Sequence, residues 1–328
     1  MFFRIKDGVI LRKRKCEFKQ DVDILARTSG GDFFSLDSKL FNFLKHCNGK
    51  NNFSKLKTIY YRIFGKKLKF SETITSNNYL KRIVEYSKIK SPINKNQIIQ
   101  VDQLEGSCRN AIWHLTNLCN LKCKHCYYID KKTRKLFFLK KEIITIVENL
   151  HQLGVEKVVL TGGEPLLIGK KLKYLTDLLT DRCLFFTINT NAFEKVDHLL
   201  EIFKDNPYAE SVQVSLDGDR ELHEKFRGKN GCYSTICKHI KQLTSAGVKV
   251  KVVSMITKDW VGKERIFFEI IKDLGVKEWL IELPTRIGRW QDNYLRYGVS
   301  EHQLIKICKR FIYLIENKNS NLESFVIN

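Results

Sequence analysis

From about residue 111 onward, short β-rich runs and longer helical patterns alternate six times, and no other feature of the chain restricts its fold so strongly. "AIWHLT" reads as a strand. "KKEIITIVENLHQLG" then places Ile143, Ile146, Val147 and Leu150 at helical spacing and stops on Gly154. The alternation continues through "KVVLT", "CLFFTI", "SVQVSL", "VKVKVVSMI" and "EWLIEL", with helices expected near 169–180, 194–204, 232–246, 263–274 and 301–316. Strands joined by helical crossovers predict a parallel sheet, and six in succession predict an open, partial β/α barrel.

The unusual residues fall at the strand ends. A cysteine loop follows the first strand and "TGGEP" the second; "NTNA" ends the third, "SLDG" the fourth, and "PTRIGR" follows the sixth. In a parallel β/α architecture the C-terminal rim gathers such groups, so residues far apart in sequence are expected to form one site.

Residues 1–92 lack this rhythm. "FFRIK" and "VILRKRK" suggest a hairpin around Asp7-Gly8. "FFSLDSKLFNFLKHCNGK" carries a helical stripe of Leu40, Phe43 and Leu44 capped by Asn48-Gly49, and "FSKLKTIYYRIFG" and "NYLKRIVEYSKI" suggest two more helices. The outline is a small α+β winged-helix domain, followed by a polar linker over 93–107 and the α/β core over 108–320. Charge is concentrated in front: residues 1–100 hold 22 Lys+Arg against 8 Asp+Glu, leaving 36 against 28 for the rest. An excess of this sign attracts an acidic peptide or nucleic acid, or is a solvated surface. The charged start "MFFRIKDGVILRKRK" is not a signal peptide, and no apolar run reaches membrane-spanning length, so a cytoplasmic location is expected.

In a reducing compartment, clustered cysteines indicate metal or catalysis before disulfides. Cys119, Cys123 and Cys126 crowd one loop, whereas Cys16, Cys47, Cys108, Cys183 and Cys308 are isolated and expected to be small buried hydrophobes. Cys232 and Cys237 flank a helix start on different faces. Three thiolates with His125 or His114 would make a structural zinc site. Three without a fourth also suit a 4Fe-4S cluster with one iron left open.

C-x3-C-x2-C followed by an aromatic, here Cys119, Cys123, Cys126 and Tyr127, is similar to the signature of the radical S-adenosylmethionine (SAM) superfamily. "TGGEP" at 161–165, "SLDG" at 215–218 and "HEKFRG" at 223–228 resemble further motifs of its peptide-modifying branch, in the same order. The resemblance implies a partial (β/α)6 radical SAM barrel with a 4Fe-4S cluster on the three cysteines and SAM on the open iron. It places Gly162, Gly163, Glu164 and Pro165 at the methionine end, with Glu164 accepting from the ammonium. Ser215 and Arg227 would hold the carboxylate and Asp217 the ribose hydroxyls. Asn189 and Asn191 either face the same ligand or form turns, and Val253 and Met255 flank adenine or fill the barrel.

The implied reaction is reductive cleavage of SAM and removal of a hydrogen atom from a substrate, fed by an electron donor such as flavodoxin or ferredoxin. Residues 30–68 resemble the PqqD-like domain that binds the leader of ribosomally made precursor peptides by strand addition. The implied activity is therefore that of a peptide maturase. Modification of RNA or another protein, and a non-catalytic zinc-stabilised binding protein, are the alternatives. Peptide-modifying relatives usually continue into a cysteine-rich C-terminal extension with auxiliary clusters; this sequence ends at "NLESFVIN" without one, so the expectation is a fragment, an enzyme working with the single cluster, or a chain inactive alone.

Overall fold

The computed structural model describes residues 2–15, 22–28, 33–65, 80–87, 90, 92–94, 97–101, 109–127, 138–317, 322 and 324–327. Its centre is a parallel sheet whose strands lie side by side in chain order: β8 (Asn110–His114), β9 (Lys157–Thr161), β10 (Phe185–Thr190), β11 (Ala209–Ser215), β12 (Val250–Met255), β13 (Glu278–Glu282) and β14 (Ser324–Ile327). The six expected β/α units are present, and β14 adds a seventh strand in parallel register with β13. Outside the sheet pack α4 (Lys140–Gln152), α5 (Lys170–Asp181), α6 (Asp197–Phe203), α8 (Cys232–Ser245), α9 (Glu264–Asp273) and α11 (Glu301–Asn317). Val158, Leu160, Phe186, Ile188, Val212 and Val214 meet the helices' apolar stripes in one buried cluster. Because every strand runs the same way, all their C-terminal loops share one rim.

Two helices are additions to the sequence reading: α7 (Arg220–Arg227) and α10 (Arg289–Tyr297). The signals for α7 are local. Asp219 caps it by accepting from Leu222 N at 3.0 Å, and Gly228 ends it in the left-handed conformation.

The front region departs from its expected outline. β1 (Phe2–Ile5) and β2 (Val9–Lys15) do turn at Asp7-Gly8, but they enter different sheets. β1 lies between β5 (Asn48–Asn52) and β6 (Val84–Ser87); the antiparallel partner of β2 is β3 (Val22–Thr28). Asn48-Gly49 begins β5 rather than capping α1 (Ser38–Leu44), whose own cap is Asp37 at its start. α2 (Phe53–Phe64) ends on left-handed Gly65 as the sequence indicates. The third expected helix is a single turn, α3 (Leu80–Ile83), which passes directly into β6. Ile98–Val101, within the stretch read as a linker, form β7 and pair in parallel with β2; β4 (Phe33–Ser35) closes the other edge of that sheet. The two sheets share one core, in which Ile5 of β1 meets Leu11 of β2 together with Phe41, Leu56, Tyr60 and Ile83, so the neighbouring strands meet through side chains and take their main-chain partners from elsewhere in the sequence.

The front region docks on the barrel at the end opposite the rim. Ile10 packs with Cys183, Phe185 and Tyr208, where β10 and β11 begin. Arg27 lies 4.4 Å over the Phe185 ring and forms an ion pair with Glu210, and Asn94 Nδ2 donates to Asp181 O at 2.9 Å. Of the isolated cysteines, Cys47 and Cys183 are buried but Cys308 is only half-buried, because its helix face borders solvent; Cys16 and Cys108 lie outside the described residues. No helix among the described residues is long and apolar enough to cross a membrane.

Candidate active site

After β8 the chain runs across the rim as a loop carrying the three cysteines, and three neighbouring segments bind its main chain. The turn after β9 holds the first part: Gly163 N donates to Thr116 O at 2.6 Å and Glu164 N to Leu118 O at 2.7 Å. The end of α7 holds the middle, accepting at Arg227 O from Lys122 N (3.0 Å) and at Phe226 O from Lys124 N (2.9 Å). α10 holds the last part, with Arg289 N on Cys126 O at 3.0 Å, Arg289 Nη1 on Cys123 O at 3.3 Å and Asn293 Nδ2 on Lys124 O at 3.2 Å. The Lys124 ammonium reaches Tyr297 Oη at 2.7 Å.

Such close approach demands glycine. A Cβ on Gly163 would stand 2.0 Å from Leu118 O, and one on Gly288 2.6 Å from both Cys126 O and Tyr127 Cα. The sequence reading gave Gly162 and Gly163 the task of admitting a ligand. They do line the cavity, but their tightest contacts are with the cysteine loop itself.

The three cysteines open onto a cavity of about 400 Å³, a volume suited to a small cofactor. Cys119, Cys123, Cys126, His125, Tyr127, Gly162, Gly163, Asn189, Asn191, Ser215 and Arg227 all line it, as do Val253 and Met255. Sequence reasoning missed Gln213, Thr161 and Glu282 on the same wall. Gln213 had a signal: it precedes Ser215 by two on β11, hence shares its face.

Glu164, Pro165 and Asp217, expected at the ligand, are not in the lining, and the two acids are bonded to protein groups. Glu164 is fully buried, and its carboxylate accepts from Thr190 Oγ1 at 2.5 Å, Asn191 N at 2.8 Å and Leu166 N at 3.0 Å. Burial pushes its carboxyl up to about 7 against these three donors. Asp217 sits behind the wall, paired with Arg227 through Nε at 2.5 Å and Nη2 at 3.0 Å, and accepts from Met255 N at 2.9 Å. Burial opposes its charge, but Arg227 and then His223 hold the carboxyl below its ordinary range. With its fork on Asp217, Arg227 turns Nη1 toward Cys123 Sγ at 3.7 Å. Pro165 starts a 3-10 turn over Pro165–Ile168.

Asn191 combines its two expected readings: Oδ1 closes a turn on Phe193 N at 2.9 Å while Nδ2 donates to Asn120 Oδ1 at 2.8 Å, beside Cys119. The His125 ring stacks on Phe226 at 4.8 Å, and burial and Arg227 pull its pKa to about 3, so it is neutral. Among the described residues no three His, Cys, Asp or Glu side chains converge as one metal ion requires. A zinc ion would draw sulfurs to about 2.3 Å from a single point. Thiols on separate irons of a cluster need no such convergence.

Residues 113–260 match the family model described as the Radical SAM superfamily. They are a radical SAM domain. The antilisterial bacteriocin subtilosin biosynthesis protein AlbA of Bacillus subtilis is 27% identical over 184 residues, covering 56% of this chain and 41% of that protein. An AdoMet-dependent heme synthase of Oleidesulfovibrio alaskensis is 26% identical over 190 residues, covering 56% of this chain and 47% of its own length. The chain therefore spans about half or less of the length of these curated relatives. Among solved structures, Streptococcus suis SuiB bound to precursor peptide SuiA superposes with TM-score 0.72 at 16% identity, over 100% of this chain and 73% of that one. The whole described fold, front region included, thus has a counterpart in SuiB.

The radical SAM family uses a 4Fe-4S cluster and SAM. The residues present fit both: three thiols face one cavity, and Asn189 Oδ1, buried on its wall, has no hydrogen-bond partner among the described residues. An orphaned acceptor of this kind suits a ligand donor.

Proposed function

We propose that the chain is a radical SAM enzyme that reductively cleaves SAM at a 4Fe-4S cluster and removes a hydrogen atom from a ribosomally made precursor peptide. The observation that carries this reading is the meeting of Cys119, Cys123 and Cys126 with Gly163, Asn189 and Ser215 around one cavity at the C-terminal rim. The cofactor pair supplies the radical chemistry when bound. The protein's part is to hold the three thiols in register through the glycine turn, α7 and α10, and to offer Asn189, Asn191, Ser215 and Tyr127 to the ligand. Burial pushes the Cys123 thiol up, and Arg227, fixed by Asp217, opposes that shift by setting a cation beside the sulfur.

A peptide substrate is supported by the likeness of the entire fold to SuiB, a protein solved with its precursor peptide, and by AlbA's place in bacteriocin biosynthesis. Residues 1–92 then serve as a PqqD-like recognition region in which the leader adds as a strand. Their excess of 22 basic over 8 acidic residues across 1–100 favours an acidic leader. A leader bound beside the docking contact, where β10 begins, would lie about one strand length, roughly 20 Å or about six extended residues, from the cavity at the strand's other end.

Anaerobic reconstitution tests the reading. The wild type should bind iron and sulfide and convert SAM to 5′-deoxyadenosine and methionine with a reductant; replacing the three cysteines by alanine should abolish both. SAM cleavage retained by the triple variant would end the proposal.

A further inference from the structure

The cavity holds one acid that the proposed chemistry leaves unused. Along β13, Trp279 and Ile281 are buried toward the helices, so Glu278, Leu280 and Glu282 take the barrel's inner side. Glu278, at the base of the strand, is paired with Lys249 and Lys251. Glu282, at the rim, is the one carboxylate lining the cavity among the described residues, and its side chain has no hydrogen-bond or ion-pair partner among them. Burial alone raises its carboxyl above the usual range, with no cation nearby to lower it. The cation that lines the cavity among the described residues, Arg227, is committed to Asp217. Among the described residues, therefore, no cation pairs with Glu282.

The surroundings indicate its shape. Past Glu282 the wall continues through Leu283, Pro284 and Ile287; Leu283 is 42% and Ile287 47% exposed, and Tyr127 is 54% exposed at the same cavity. An apolar rim leading to an unpaired carboxylate complements a long side chain with a methylene stem and a charged head.

We infer that Glu282 anchors a cationic side chain, lysine or arginine, on the substrate segment that enters the cavity. This rests on the peptide reading above. The other source of the same chemistry is the ammonium of SAM, but the glycine turn that would receive it follows β9, separated from β13 by β10, β11 and β12.

The probes are the pentapeptide Ala-Gly-Lys-Gly-Ala and its twin bearing Nε-acetyl-lysine, titrated calorimetrically onto the reconstituted full chain with SAM present. Wild type should bind the charged peptide about tenfold or more tightly than the neutral one, as a charge-assisted hydrogen bond implies. Glu282→Gln and Glu282→Ala should bind the two alike, with SAM affinity unchanged. Loss of SAM affinity in Glu282→Gln would assign the carboxylate to SAM and overturn the inference. So would a wild type that shows no preference, including one that binds neither peptide. Failure of the wild type to form a cluster or cleave SAM is a separate result, and it would refute the underlying reading as well.

Discussion

Replacing Gly163 by alanine tests the idea that the glycine turn exists to grip the cysteine loop. The new Cβ would stand 2.0 Å from Leu118 O and 2.5 Å from Leu118 C, whereas ordinary contact begins at 3.4 Å, a shortfall of 1.4 Å against main chain that cannot rotate away. Relief requires the two loops to separate. That strains or breaks the bonds from Gly163 N to Thr116 O and from Glu164 N to Leu118 O. Overpacking costs about 1–3 kcal/mol and each bond about 1 kcal/mol, for a total of about 3–5 kcal/mol. For a barrel of this size, a loss of that order lowers the melting temperature by about 10 °C. Gly247→Ala is the control: Gly247 has φ +78° with nothing within 4 Å, so only left-handed backbone strain of about 1–2 kcal/mol applies. Melting temperature and iron bound after reconstitution are the two readouts. Gly163→Ala should melt well below Gly247→Ala and bind less iron, because Cys119 lies one residue beyond the displaced carbonyl. If Gly163→Ala melts with the control and takes up full iron, the grip has no energetic meaning.

Asp217→Asn leaves Arg227 buried without its countercharge and should destabilise the fold by about 3–5 kcal/mol in chemical denaturation, more than Asp217→Asn combined with Arg227→Gln. Glu164 has its folded pKa raised to about 7 from 4.5, so the folded state binds the extra proton between these values. Its contribution is full below the unfolded pKa and is lost as pH rises through about 7, a change of a few kcal/mol. Stability measured across this window should fall with a slope that Glu164→Gln flattens; an unchanged slope would show that another group is responsible. Asn293→Ala and Arg289→Ala remove bonds to Lys124 O and Cys123 O without touching a cysteine, and should speed loss of iron to a chelator severalfold while leaving far-UV circular dichroism intact.

The barrel was legible in the sequence because its signals are local: apolar periodicity and turn residues mark each strand and helix within a dozen residues. The meeting of the cysteine trio with Gly162, Gly163 and Ser215 was legible for a related reason, since strand ends in a parallel sheet must share one rim. What pairs with what was not. The turn at Asp7-Gly8 announced a hairpin, but β1 pairs with β5 and β6 and β2 with β3 and β7, although Ile5 and Leu11 share one core, and α10 gave no sign that it would clamp a loop 166 residues earlier, as Arg289 does at Cys123. Carboxylates show the division most sharply. Glu164, Asp217 and Glu282 are alike as letters at strand ends. Only the fold decides that the first two turn inward to donors brought by Thr190, Asn191, Arg227 and Met255, while the third is left facing the cavity. A side chain's charge is fixed by its chemistry, but its partner is fixed by which distant backbone arrives beside it.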